Sequence, residues 1–220
     1  MKYKISGEIA QSATLLFEDN DTAWAANGSL MSYADGVAWS LRVPGGLGGA
    51  VKRSFAGEGL SLTYIEGRQP NVQAQLTANQ PGKIIPWELA TDGPVIATRG
   101  AFLCAWGPDI DIDVTIARRA GAAFFGGAGL FLQRISGNGI VLVHGSGDFT
   151  KVKLPAGRSM TVSTGNLAAF SADVDYDIRG VGGCRKALFS GEGLFVTRLT
   201  GPGTVLLQTL KRIIKSNNST

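Results

Sequence analysis

Six basic residues stand in adjacent pairs: Lys52-Arg53, Arg118-Arg119 and Arg185-Lys186. Each pair precedes a short glycine motif, F-A-G-E-G-L at 55–60, F-G-G-A-G-L at 125–130 and F-S-G-E-G-L at 189–194. Cations set at equivalent places of a repeat would line one rim and draw an anionic partner, the phosphates of a nucleic acid or an acidic lipid surface; ordinary solubility charge is the competing reading and the one more expected. The glycines Gly57, Gly59, Gly127, Gly129, Gly191 and Gly193 would offer backbone N–H groups to an anion. The motif lacks the Lys-Ser/Thr that completes a P-loop, so a structural role for these glycines, close strand packing or positive φ, is expected.

Two aspartate rows come next. Asp109, Asp111 and Asp113 alternate with apolar residues, as do Asp173, Asp175 and Asp177. A flat row of carboxylates does not converge on a cation as calcium ligands do, and a solvated strand face is expected instead. His144 is the only histidine, with no nucleophile–carboxylate pattern around it. Trp24, Trp39, Trp87 and Trp106 are expected to pack rather than to cage a ligand. Cys184 has Arg185 and Lys186 beside it, which would lower its pKa. No catalytic residue, cofactor or metal site emerges, and the chain reads as a non-enzymatic protein.

The three glycine motifs are spaced by 70 and then 64 residues, so one unit has been used three times. Repeats are expected over about 9–78, 79–150 and 151–210. They would pack side by side on one interior as a single domain (1–215) with approximate three-fold symmetry, followed by a short tail, 216–220. Glycine at 31 of 220 residues and charge at 17% favour short strands and tight turns over helix or disorder. Each repeat offers a turn, a strand, a second strand (Ser29 to Tyr33, Val95 to Thr98, Leu167 to Phe170) and a third, alternating strand. A hairpin is expected to follow: Leu130 to Ile135 with Ile140 to His144, and Leu194 to Leu199 with Thr204 to Gln208. Only Thr209 to Lys215 reads as a helix, basic on one face.

The run Gly45-Gly46 followed by Lys52 to Leu60, together with Gly100 to Ala105, resembles the signature of the altered-inheritance-of-mitochondria protein 24 family. The resemblance covers about residues 9 to 210. It implies a fold similar to the trp RNA-binding attenuation protein, a short variant of the double-stranded β-helix, with no catalytic residues to carry over. Ala128 departs from the pattern, where the other repeats have Glu58 and Glu192.

The expected architecture is thus all-β, three pseudo-symmetric sandwich-like repeats and a short C-terminal helix. The expected function is binding or scaffolding by a homo-oligomer that covers its open sheet edges by association, with a trimer as the guessed size. A net charge of +4 leaves open a nucleic acid or anionic ligand along the basic rim, and a membrane surface met by the C-terminal helix. The first ten residues hold no apolar leader run, and two unrelated cysteines suit a reduced compartment, so a cytoplasmic location is expected.

Overall fold

The structure is a computed structural model and describes residues 1–44, 61–117, 130–180 and 195–212. An opening strand, β1 (Lys2–Ser6), precedes three sets of six. The first set is β2 (Ser12–Phe17), β3 (Thr22–Ala25), β4 (Leu30–Tyr33), β5 (Val37–Arg42), β6 (Leu62–Gly67) and β7 (Val72–Thr77). The second is β8 (Gly82–Glu88), β9 (Val95–Thr98), β10 (Phe102–Trp106), β11 (Asp111–Ala117), β12 (Leu130–Ser136) and β13 (Ile140–Ser146). The third is β14 (Phe149–Leu154), β15 (Ser159–Ser163), β16 (Leu167–Ser171), β17 (Asp175–Gly180), β18 (Phe195–Thr200) and β19 (Gly203–Gln208). Among the described residues the helical pieces are one turn, α1 (Leu89–Asp92), and a 3-10 turn at Thr164–Asn166. None is long and apolar enough to cross a membrane.

The chain is all-β, and among the described residues every ladder between these strands is antiparallel. Within a set, strands one, six and three make one sheet and strands four, five and two make the facing one. Neighbouring repeats are then stitched into shared sheets. Strand two of one repeat pairs with strand three of the next, β3 with β10 and β9 with β16. Two six-stranded sheets result, β5-β6-β3-β10-β13-β8 and β11-β12-β9-β16-β19-β14. A four-stranded sheet, β1-β2-β7-β4, and a three-stranded sheet, β15-β18-β17, stand at the two ends.

The expected hairpins do not form. β12 pairs with β11 and β9, while β13 pairs with β10 and β8. The Ser-Gly-Asn-Gly turn therefore carries the chain from one sheet to the other rather than back along its own ladder. Gly139 makes this crossing possible. Its φ is +156°, and a Cβ there would strike the Trp106 carbonyl oxygen. The β18–β19 connection crosses in the same way.

Val95 to Thr98 also occupies a different place from the one its sequence order suggests. It corresponds to β3 and β15, not to β4 and β16. The extra turn α1 displaces the second repeat's strands along the sequence. The aspartate rows are shorter than they read, because Asp109 sits at φ +57° in a turn and Asp173 lies in the turn before β17.

Among the described residues the buried apolar side chains fall into three clusters. Leu15, Phe17, Ile65 and Leu142 belong to the first; Val95, Phe102, Ile135 and Val143 to the second; Leu132, Phe170, Ile178 and Leu199 to the third. Side chains of β10 are shared between two clusters, with a bulge between Phe102 and Cys104. Leu103 and Cys104 enter the first, Phe102 and Ala105 the second. A strand covered on both faces reads as an unbroken apolar run, and Phe-Leu-Cys-Ala-Trp is one.

The C-terminal helix is not present in the described part of its segment. The N–H groups of Leu210 and Arg212 donate to Ser146 O (3.1 Å) and Gly165 O (2.9 Å), partners in other strands and turns. Residues 209–212 are therefore a non-helical strap laid across the second and third repeats.

Candidate functional site

The six basic residues Lys52, Arg53, Arg118, Arg119, Arg185 and Lys186, the six motif glycines and Cys184 all lie outside the described residues. The aspartate faces are described, and they are balanced. Asp113 stands directly across the ladder from Arg134, and Asp177 from Arg198. Arg179 also donates to Asp177 at 2.7 Å. Among the described residues no cluster of three or more His, Cys, Asp or Glu could hold a metal ion. In the first repeat the corresponding positions of β5 hold Ala38 and Ser40, and the acid on that face is Glu66 of β6, opposite Ala38 and 3.4 Å from Arg42.

The tryptophans divide. Trp87 and Trp106 are buried, and Trp24 packs edge-on against Tyr64 at 4.8 Å. Trp39 is 47% exposed on the outermost strand β5. Cys104 is sealed in the first cluster, and burial pushes its thiol far above the ordinary range. A buried thiol kept from ionising is a poor nucleophile. Alkylation with iodoacetamide should leave Cys104 unmodified in the folded protein and label it fully in denaturant. A peptide-mass measurement showing it labelled in the folded state would contradict this burial.

The polar chemistry gathers where sequence reading gave it least weight, around His144. This residue is 1% exposed on β13. Arg212, delivered by the C-terminal strap, reaches it twice. The same terminal nitrogen lies 2.9 Å from Nδ1 and 2.9 Å from the His144 carbonyl oxygen. A guanidinium can only donate, so Nδ1 accepts and the ring proton belongs on Nε2. The imidazole also bonds the backbone of Gln80. Burial, and then the Arg212 charge, lower the His144 pKa to about 4 against that bond's opposing pull. His144 is thus neutral at physiological pH, its one lone pair already engaged. Burial lowers Arg212 to about 10, which leaves it a cation.

Both residues face a cleft of about 210 Å³ beside the β3–β10 joint. Its walls come from the turn Ala26 to Ser29, the segment Thr77 to Gln80, and Gly100 with Phe102 and Leu103. Asn27, Asn79 and Gln80 give it amide groups, and among the described residues no acidic side chain lines it. The second terminal nitrogen of Arg212 is buried and has no hydrogen-bond partner among the described residues. An unmade bond at a buried charged donor costs on the order of 1–3 kcal/mol or more. The arrangement is therefore a small, largely apolar recess with one cation, an open donor and, among the described residues, no counter-charge. Arg212 had no sequence signal for this role, since its partners lie 68 and 47 residues away in other repeats.

The comparisons with known proteins agree with this architecture. The family described as Mitochondrial biogenesis AIM24 matches residues 3–210. The uncharacterized protein M6_Spy0233 of Streptococcus pyogenes serotype M6 is 30% identical over 202 residues, covering 88% of this chain and 79% of that protein. The crystal structure of protein SPYM3_0169 from Streptococcus pyogenes superposes with a TM-score of 0.79 at 24% identity, covering 96% of this chain and 94% of the other. That likeness concerns the fold. Matched along most of its length by the family's sequence pattern, the chain belongs to the AIM24 family.

Proposed function

We propose that the protein is a non-enzymatic binding protein whose ligand is a small anion seated in the cleft beside Arg212. One observation carries the reading: among the described residues a buried guanidinium keeps a terminal nitrogen without an acceptor, and no carboxylate lines the cleft that it walls. An anionic oxygen entering there would complete the hydrogen bonding and neutralise the charge. The amides of Asn27, Asn79 and Gln80 add neutral donors around it. At about 210 Å³ the space suits a few heavy atoms, below the roughly 300–1,000 Å³ of larger ligand sites. Catalysis finds little support in this recess, because the His144 lone pair is committed to Arg212 and the Ser29 hydroxyl to the Ala26 carbonyl at 2.7 Å.

Thermal unfolding in sodium formate, acetate or phosphate, each matched in ionic strength with chloride, tests this. An anion at 100 times its dissociation constant stabilises by about 2.7 kcal/mol. Each kcal/mol is worth about 2–4 °C in a protein of this size. At least one of the three should raise the midpoint, and Arg212→Gln should abolish the rise. No shift in any of them, or a shift that persists in Arg212→Gln, removes the reading. Nucleic acid held along the six basic residues predicts a different pattern: heparin retention that collapses at moderate salt and is indifferent to Arg212→Gln.

A further inference from the structure

The joint between repeats is made twice in one register. At the first, Cys104 lies opposite Ala25 and Ala105 opposite Trp24. At the second, Ala169 lies opposite Ala97 and Phe170 opposite Ile96. A β-bulge falls at the same place in each third strand: between Leu30 and Ser32, Phe102 and Cys104, and Leu167 and Ala169. The bulges fix the correspondence, so Met31 matches Leu103 and Ala168, and Tyr33 matches Ala105 and Phe170. Likewise the pairings to β6, β12 and β18 place Thr161 with Trp24 and Ile96, and Val162 with Ala25 and Ala97.

Three repeats joined in series leave one half-joint of each kind over. Among the described residues β4 has the build of a third strand but pairs with β7 alone, and β15 has the build of a second strand but pairs with β18 alone. They close the edges of different sheets and do not pair with each other within the chain. Exposure shows which half is bare. Leu103 and Ala168 are 1% and 0% exposed, and Met31 is 54%; Ala105 and Phe170 are 0%, and Tyr33 is 53%. Open backbone beside exposed apolar side chains is the feature that natural sheet edges avoid.

We infer that β4 of one copy of this chain takes β15 of a second copy, continuing the joint that already links the repeats. The two internal joints give the register, Ser32 opposite Val162 and Tyr33 opposite Thr161. The two surfaces differ, so the contact is heterologous and each added copy presents the same free edge again. Assemblies grow head to tail until a rotation closes them.

Light scattering of the full chain gives the first test. Wild type should show a concentration-dependent mass above 23.0 kDa, and Met31→Lys with Tyr33→Lys should return it to that mass with an unchanged circular dichroism spectrum. Both substituted side chains are exposed, so the monomer should still fold. Disulfide trapping in a Cys184→Ser background gives the second. Facing cross-strand residues are about 4.5–5.5 Å apart between Cα atoms, within disulfide reach. Separately purified Ser32→Cys and Val162→Cys chains should cross-link when mixed and oxidised, and neither should do so alone. A wild type that is monomeric at every concentration, an assembly untouched by the two lysines, or a Ser32→Cys chain that cross-links to itself overturns the proposal. So does a bond that closes within a single chain carrying both cysteines.

Discussion

Phe170→Ala should lower the unfolding free energy by about 3–5 kcal/mol, the usual cost of emptying a fully enclosed aromatic site. Phe170 is 0% exposed and fills the third cluster from the middle of a strand with partners on both sides, β19 and β9. Its ring meets Tyr176 at 5.4 Å with a 60° tilt, a geometry that adds about 0.5–1.5 kcal/mol to the area buried. Little can collapse into the void, because the ladders to both neighbours hold the backbone in place. The midpoint of thermal unfolding should fall by roughly 10 °C at about 2–4 °C per kcal/mol. The same strand position in the first repeat supplies the control. Tyr33→Ala, at a residue 53% exposed, should stay within about 0.5 kcal/mol in dilute solution. Equal losses for the two variants in urea titrations would mean that burial does not distinguish these positions.

Acid should destabilise the protein through His144, and Gln in its place should blunt the effect. In the unfolded chain the imidazole takes up a proton near pH 6.5; in the folded protein it resists until about pH 4. Between those values the unfolded state binds more protons, so stability rises with pH across the window and falls as pH drops through it. The full span corresponds to a loss on the order of 3 kcal/mol. Arg212 and the backbone of Gln80 are the groups that act on the ring, and Arg212 stays charged throughout. Carboxylates titrate at the acid end as well, so the informative quantity is the difference between wild type and His144→Gln. Gln208 occupies the matching position of the third repeat, where its amide donates to Gly165 O at 2.7 Å and accepts from Ser146 N at 3.0 Å. Denaturant unfolding at several pH values measures the slope. Identical slopes from pH 6.5 to 4 in the two proteins would exclude His144 as the source.

The repeats were legible because their spacing survives in structure. Ile65, Ile135 and Leu199 occupy one position of the fold, at the same 70- and 64-residue offsets as the glycine motifs. Strand type was legible too. Asp111, Ile112 and Asp113 alternate wet and buried, whereas Phe102 to Trp106 is buried throughout. Pairing partners were not legible. A glycine turn flanked by strands reads as a hairpin, but in a sandwich the same turn can carry the chain to the facing sheet, and local sequence does not separate the cases. The cleft was hidden for a related reason. Lys211, Arg212 and Lys215 beside Leu210, Ile213 and Ile214 carry the period of a helix, yet tertiary partners in two other repeats claim the backbone first.

Because β10, β13, β16 and β19 run through sheets that serve two interiors at once, no repeat can melt in isolation. Opening the middle unit would strip a wall from both neighbours, which ties the fate of distant stretches of chain into a single all-or-none event. Heat and denaturant should each show one transition, coincident by fluorescence and circular dichroism.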